Sequence, residues 1–546
     1  MEFTRGIPNR AARPSLTTPS ASLRDWNASI WKKGPMVSVS VLFEKGSDPR
    51  KLAPSEQPSY FVDLNLDQII DPIAANKEEY GLKSIFYTPL SKVEEIEYRQ
   101  NIMKDLESPA LFETIKKFSE QVRIMRRDLA MIDKLYNVHN KEGWFLEAVN
   151  TYCNAVETLS RSLGVSMIES RGLKEFREHL LDYIASPGFI SLVSDRASVK
   201  ENLAAIHYCV IIKDLNVRVR KYDSEIDYSV EIESIFKRFS QGQAKNYLLK
   251  LAPSAGMNHV EENILDCVAK LYPEEFSRLE TFYESHADFI DETIDSFERE
   301  MQFFVSYLDY IAPLKRAGQP FCYPKVSATC KEIRAHGVFD LALAKKVAFT
   351  ETPVVLNDFY LEGMERIFVV TGPNQGGKTT FARAFGQMHY LASIGCPVPG
   401  HDVKLFMFDK ILTHFEREET IKSQRGKLQD ELMRIHESLE TATSSSILIL
   451  NEIFTSTTLN DSLFLGRKII EKIARLDSFC VCVTFLDELA LMGEKVVSLF
   501  GGVDPADPTI RTFKIERRLA DGLAYAISIA EKYNLTYERL KERIHS

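Results

Sequence analysis

The chain has no apolar run of the roughly 18 residues that carry a helix across a membrane; its runs, such as Ile447–Leu450 and Cys480–Val483, have the length of buried strands. No membrane span is expected. Its eight cysteines contain no CxxC pair, and the closest two, Cys480 and Cys482, alternate with valines. That spacing argues against a zinc site or a disulfide framework and for buried, reduced thiols in a cytoplasmic setting. Proline and glycine are scarce, 22 and 25 of 546 residues, which excludes collagen-like and low-complexity stalks. An excess of basic charge is also missing: the formal net charge is -9, with an isoelectric point near 5.8. This argues against a protein whose whole surface wraps nucleic acid and leaves room for a local basic groove.

What is present is a globular composition, 45% apolar and 27% charged. At about 150 residues per domain, the length corresponds to three or four domains. Residues 1–35 hold six Lys or Arg against two acidic residues and no signal-peptide core. They read as a disordered leader of vector or upstream origin, with an amphipathic targeting peptide as the alternative. Met36 opens a native-looking start, and 36–91 form an N-terminal segment. Over 92–335 apolar residues recur at three- and four-residue steps, which predicts an all-α domain of long amphipathic helices. Within it, β-branched alternation near 206–239 predicts a small β-rich insertion. A heptad seam follows: Tyr283, Ile290, Phe297 and Phe304 recur every seven residues, and Ala287, Ile294, Met301 and Leu308 do so four residues out of step. It predicts one long helix packed against another of the same chain, with an intermolecular coiled coil as the alternative. Between Glu274 and Glu300 ten acidic residues oppose two basic ones, so this element reads as a strut and not as a clamp on phosphates.

The last domain, 336–546, carries the chemistry. After the strand-like run IFVV comes a loop, Gly372-Pro373-Asn374-Gln375-Gly376-Gly377-Lys378-Thr379-Thr380, and then an amphipathic helix. This is GxxxxGK[ST] between a strand and a helix. The glycines let backbone N–H groups close around phosphates, and the helix N-terminus faces the same charge. Lys378 is expected to reach the terminal phosphates of ATP, and the Thr379 hydroxyl to bind Mg2+. About seventy residues later SSSILILNEIF supplies a short apolar strand ending in Asn451 and Glu452. In a site of this kind the first position supports the Mg2+ shell and the Glu orients or deprotonates water. Here the first position is Asn, so a negative charge beside the metal is missing.

TGPNQGGKTT followed by LASIGCPVPG resembles the ATPase of the MutS DNA mismatch repair family, whose loop typically reads TGPNMGGKST and whose helix ends in IGxxVPA. NEIFTSTTLNDS stands where that family has DEIGRGTSTYDG, and VTFLDEL where it has ATHYFEL. The resemblance is close over His336–Ser546 and looser over Lys92–Leu314, which correspond to core and lever helices. It implies an α/β P-loop domain of ABC type following the helical domain, and a homodimer in which each ATP site is completed by the partner's signature segment. By the same matching, Thr457 and Thr458 fall where small hydroxyl residues meet the partner's γ-phosphate. Asn357 falls near an adenine-contacting Asn, and Ser423 to Lys427 fall in a nucleotide-sensing loop.

Three departures stand out. Gly-Arg-Gly of the family's signature is Phe454-Thr455-Ser456, its switch His is Phe485, and its Walker B Asp is Asn451. Phe485 cannot hydrogen-bond to phosphate or water, so hydrolysis is expected to be slow. The segment before the first helices is too short to hold both a mismatch-reading domain and a connector domain, and where that family wedges the Phe of an F-x-E motif beside a mispaired base, this chain's Phe282-Tyr283-Glu284 lies inside the acidic element and reads as packing. The sequence therefore points to a MutS-like ATPase that couples nucleotide state to DNA binding or processing without recognising mismatches itself. An ATP-gated scaffold that binds a protein partner and no DNA is the alternative.

Overall fold

The computed structural model describes residues 39–44, 56–213, 216–224, 257–348, 354–416, 426–504, 506–507, 510–519 and 535–544. The leader expected at 1–35, the far part of the β-rich stretch at 225–239 and Ser423 to Arg425 lie outside them. Helices and sheets are both present. Two compact units are found, one built from Pro109–Ile168 and Lys174–Glu298, the other from Ser40–Ser108, Glu169–Leu173 and Arg299–Ser546.

In the first unit the helices Pro109–Ile132 and Val138–Val165 pack along one another. Leu111, Ile115, Phe118, Val122 and Met125 are buried at three- and four-residue steps on the first, as its sequence pattern requires. Asn137 starts the second by accepting the Asn140 N–H at 3.0 Å. Two buried carboxylates, Asp295 and Glu298, take Arg126 at 2.8 and 2.6 Å. The β-rich stretch contains an antiparallel hairpin, Tyr208–Lys213 with Asn216–Lys221, in which Ile211 faces Arg218. Phe282 packs its ring edge-on to Phe145, with centroids 6.0 Å apart.

The heptad seam is not one helix. Helix Pro273–Ser285 stops, and Glu292–Arg316 begins afresh. Asp291 ends the link by accepting the Ile294 N–H at 2.9 Å, a helix-capping bond that competes with continuation. Ala287 is consequently exposed, and Phe282 and Phe289 take the buried places instead.

The second unit is organised on a six-stranded sheet. We number its strands β1 (Ile367–Thr371), β2 (Ile411–His414), β3 (Ile447–Asn451), β4 (Phe479–Val483), β5 (Val496–Val503) and β6 (Arg511–Glu516). Their order across the sheet is β2-β3-β4-β1-β5-β6, parallel except for β6. Strands β1, β3 and β4 are buried at every residue, which explains why they read as continuous apolar runs and not as alternations. Helices α1 (Lys378–Ser393), α2 (Lys427–Thr441) and α3 (Leu459–Leu476) follow β1, precede β3 and follow β3. A smaller four-stranded sheet runs in the order Lys325–Ser327, Asp402–Phe406, Ile333–Val338, Asn357–Leu361.

Two polar hubs hold this unit. Ser40 Oγ lies 2.9 Å from both oxygens of Glu300, and the N–H groups of Val41 and Leu42 donate to Oε2 at 2.7 and 3.2 Å. Desolvation outweighs these donors and pushes the Glu300 carboxyl up to about 7. The second hub is Asp477, which receives Lys331 and Lys495 at 2.8 and 2.7 Å, with Arg366 Nε 3.2 Å away. Burial opposes its charge, yet the two lysines and the arginine hold its carboxyl at about 2. No helix among the described residues is long and apolar enough to cross a membrane.

Candidate functional site

Strand β1 ends at Thr371, and the chain turns through the glycine-rich loop into α1. Gly372 has φ 119°, and a Cβ there would sit 2.9 Å from the backbone nitrogen and oxygen of Gly501 on β5. Only glycine allows the loop to leave the sheet so close to its neighbour. Gly377, at φ 90°, is the residue from which α1 starts. The loop carries the N-terminus of α1 to one wall of a cavity of about 390 Å³.

Of the residues singled out in the sequence, Gln375, Gly376, Gly377, Lys378, Thr379, Thr380, Asn357 and Glu452 line this cavity. Gly372, Pro373, Asn374, Asn451, Thr457 and Thr458 do not. Asn451 is nonetheless joined to the loop, because the Thr379 hydroxyl donates to its Oδ1 at 2.8 Å. Gly372 and Pro373 serve through their carbonyls, which accept from Lys378 Nζ at 2.8 and 3.0 Å. The Asn374 carbonyl accepts from Arg511 Nε at 3.2 Å. Thr458 caps α3 instead: its Oγ1 donates to Asp461 Oδ2 at 2.8 Å and accepts the Asp461 N–H at 3.2 Å. Thr457 Oγ1 lies 3.5 Å from the same carboxylate.

Asn357 uses both ends of its amide on the backbone of β6. Its Oδ1 accepts the Ile515 N–H at 2.8 Å, and its Nδ2 donates to the Phe513 carbonyl at 3.2 Å. It thus braces the strand that brings Phe513 to the cavity wall. Lys427 opens α2 and pairs with Glu416.

Lys378 is only 4% exposed. Burial pulls its ammonium below the usual lysine range, while the Glu452 carboxylate acts in the opposite sense and Arg511 adds to the lowering. Phe485 covers it, the Nζ lying 4.5 Å from the ring centroid. Sequence reasoning treated Phe485 only as a lost hydrogen-bonding residue and missed this contact. Phe513 and Asp340 were also missed, and both line the cavity. Asp340 caps the helix Leu341–Val347 and is itself desolvated, which raises its carboxyl above the usual range.

Backbone strain gathers here. Of the eight non-glycine residues in the left-handed region among the described residues, three, Gln375 (φ 60°), Glu452 (57°) and Phe513 (56°), line the cavity. Such conformations cost about 1–3 kcal/mol each and persist where surrounding structure enforces them. The donor set suits a nucleotide with a hard cation. The Thr379 hydroxyl, the Asn451 amide oxygen and the Glu452 carboxylate are all oxygen donors, and no group of three or more His, Cys, Asp or Glu able to hold a metal is found among the described residues. An ion held here would take most of its ligands from phosphate and water, as Mg2+ does.

Comparison with known proteins agrees with this geometry. Residues 368–537 match the family model described as MutS domain V. Over 203 residues the chain is 30% identical to a protein named endonuclease MutS2 from Gemmatimonas aurantiaca, covering 35% of this chain and 24% of that protein. Over 280 residues it is 25% identical to a DNA mismatch repair protein MutS from Thermosipho melanesiensis, covering 50% of this chain and 33% of the relative. The matched part thus spans about a quarter to a third of the length of these relatives.

Proposed function

This chain is a member of the MutS family, and from that premise we propose that it binds ATP with Mg2+ in the cavity of the second unit and hydrolyses it slowly. The observation that carries the reading is the 2.8 Å bond from Thr379 Oγ1 to Asn451 Oδ1, which joins the phosphate loop to the end of β3 beside Glu452. Lys378 and the loop amides bind the phosphates, Thr379 and Asn451 hold the ion, and Glu452 orients the attacking water and accepts its proton. Mg2+ supplies charge neutralisation of the phosphates. Asn451 in place of a carboxylate weakens the hold on the ion, and Phe485 offers no hydrogen bond to the terminal phosphate, so turnover is slow.

The protein acts as a homodimer. Thr457 and Thr458 stand outside the cavity of their own chain, at the start of α3, which supports their serving the partner's nucleotide. Nucleotide state is passed to the helical unit and from there to DNA, of a shape preference not tied to a mispaired base. Calorimetry tests the core of this reading. Wild type takes up ATP in a Mg2+-dependent manner, and Lys378→Ala, folded by circular dichroism, does not. Equal affinity in the two proteins overturns the site.

A further inference from the structure

The turn between β3 and α3 holds two left-handed non-glycine residues in three, Glu452 at φ 57° and Phe454 at φ 59°. A phenylalanine pays a steric cost in that region and has no short polar side chain to offset it locally. Other elements hold the turn in place. At its start, the Glu452 N–H donates to the Val483 carbonyl at the end of β4, 2.9 Å away. At its end, Phe454 is gripped from both sides: Glu431 Oε1 on α2 accepts its N–H at 2.7 Å, and Ser462 Oγ on α3 donates to its carbonyl at 2.7 Å.

Glu431 brings a charge into a buried place. It is 6% exposed; its Oε1 also lies 3.3 Å from His414 Nε2 at the end of β2, and its Oε2 has no partner. Burial penalises its charge, yet the bond with His414 and the Phe454 N–H outweigh desolvation and hold its carboxyl below the usual range, so it stays an ionised acceptor. The accepting oxygen fixes the Phe454 N–H, and with it the path of the two residues that precede it.

We propose that Glu431 is a positioning residue for Glu452, holding the 452–454 turn in the left-handed form that keeps the Glu452 carboxylate on the cavity wall. The inference rests on the reading of Glu452 as the residue that orients water. ATP binding itself depends on the phosphate loop, which Glu431 does not touch, so the effect falls on kcat and spares affinity.

The test compares Glu431→Leu, Glu431→Gln and Ser462→Ala with wild type and with Glu452→Gln, in the full chain with saturating Mg2+ and ATP. Glu431→Leu lowers kcat at least ten-fold with ATP affinity within two-fold of wild type. Glu431→Gln, which keeps an accepting oxygen, retains most of the rate. Ser462→Ala, a mild change that removes the grip on the other side, lowers kcat several-fold and serves if Glu431→Leu does not fold. Wild-type turnover in folded Glu431→Leu or in Ser462→Ala, or a parallel loss of affinity and rate, overturns the proposal. Glu431→Gln as slow as Glu431→Leu does so too. If Glu452→Gln loses hydrolysis while these variants do not, only the positioning role fails; if Glu452→Gln turns over like wild type, the assigned role of Glu452 fails with it.

Discussion

Replacing Phe485 by leucine should make the protein bind ATP more tightly. The Lys378 ammonium has three N–H bonds. Two are spent on the Gly372 and Pro373 carbonyls, and the Phe485 ring lies 4.5 Å from the nitrogen. A terminal phosphate must displace one of these partners. The carbonyls belong to a loop fixed by Gly372 and Gly377, whereas the Phe485 side chain is 47% exposed and has room to swing away. The ring is therefore the partner that yields, and its attraction for the ammonium is subtracted from nucleotide affinity. For a cation as little exposed as this one the attraction is worth about 1 kcal/mol, which corresponds to about five-fold in Kd. Phe485→Leu keeps apolar bulk and removes the ring's negative face; Phe485→Trp strengthens it. Calorimetric Kd values for ATP should fall from Trp to Phe to Leu, while that of AMP, whose single phosphate stops short of Lys378, stays constant. Weaker ATP binding by Phe485→Leu would refute the reasoning, since it would mean that the ring assists the bound state.

Further expectations concern assembly, DNA and pH. Light scattering with a non-hydrolysed ATP analogue should show a dimer at tens of micromolar protein; a strict monomer there removes the composite site. In a panel of matched, mismatched, branched and single-stranded DNA with and without ATP, binding should respond to nucleotide without a ten-fold preference, about 1.4 kcal/mol, for a single mismatch. Glu300 titrates at about 7 in the folded protein, above the roughly 4.3 of an unfolded chain. Its contribution is full below the lower value and is lost as pH rises to the upper one, on the order of 3 kcal/mol in total. Thermal stability should decline across that window in wild type and lose this component in Glu300→Gln, and an unchanged profile in the variant rules the assignment out.

The glycine-rich loop was legible because its geometry is local. Glycines at 372 and 377, a lysine and a threonine occupy fixed places between one strand and one helix, and nothing distant is needed to read them. Asn451 and Glu452 were legible from the order of the motifs, since a buried parallel strand appears in sequence as a bare apolar run. The break at 286–291 was not, because the heptad count registers apolar spacing and is blind to Asp291, whose side chain caps the following helix. Asn357 could be placed beside the cavity but not given its bonds to β6, which begins more than 150 residues further on. The grips on Phe454 were hidden for the same reason: Glu431 and Ser462 meet it only once α2 and α3 have packed against the sheet. A phenylalanine where the motif that the sequence resembles has glycine was a visible oddity, and it is the signal that points to these supports.

Asp477 and its three cations gather at the opposite rim of the sheet. Arg366 stands just before β1, Lys495 just before β5, and Asp477 just ahead of β4, so the starts of three neighbouring parallel strands are riveted together. The far end of β1 leads into the loop that lines the cavity. A sheet anchored at one rim can absorb sequence change at the other without losing register. In such an arrangement residues at or beyond the far rim, Asn451, Phe454 and Phe485 among them, can change while the frame stays intact.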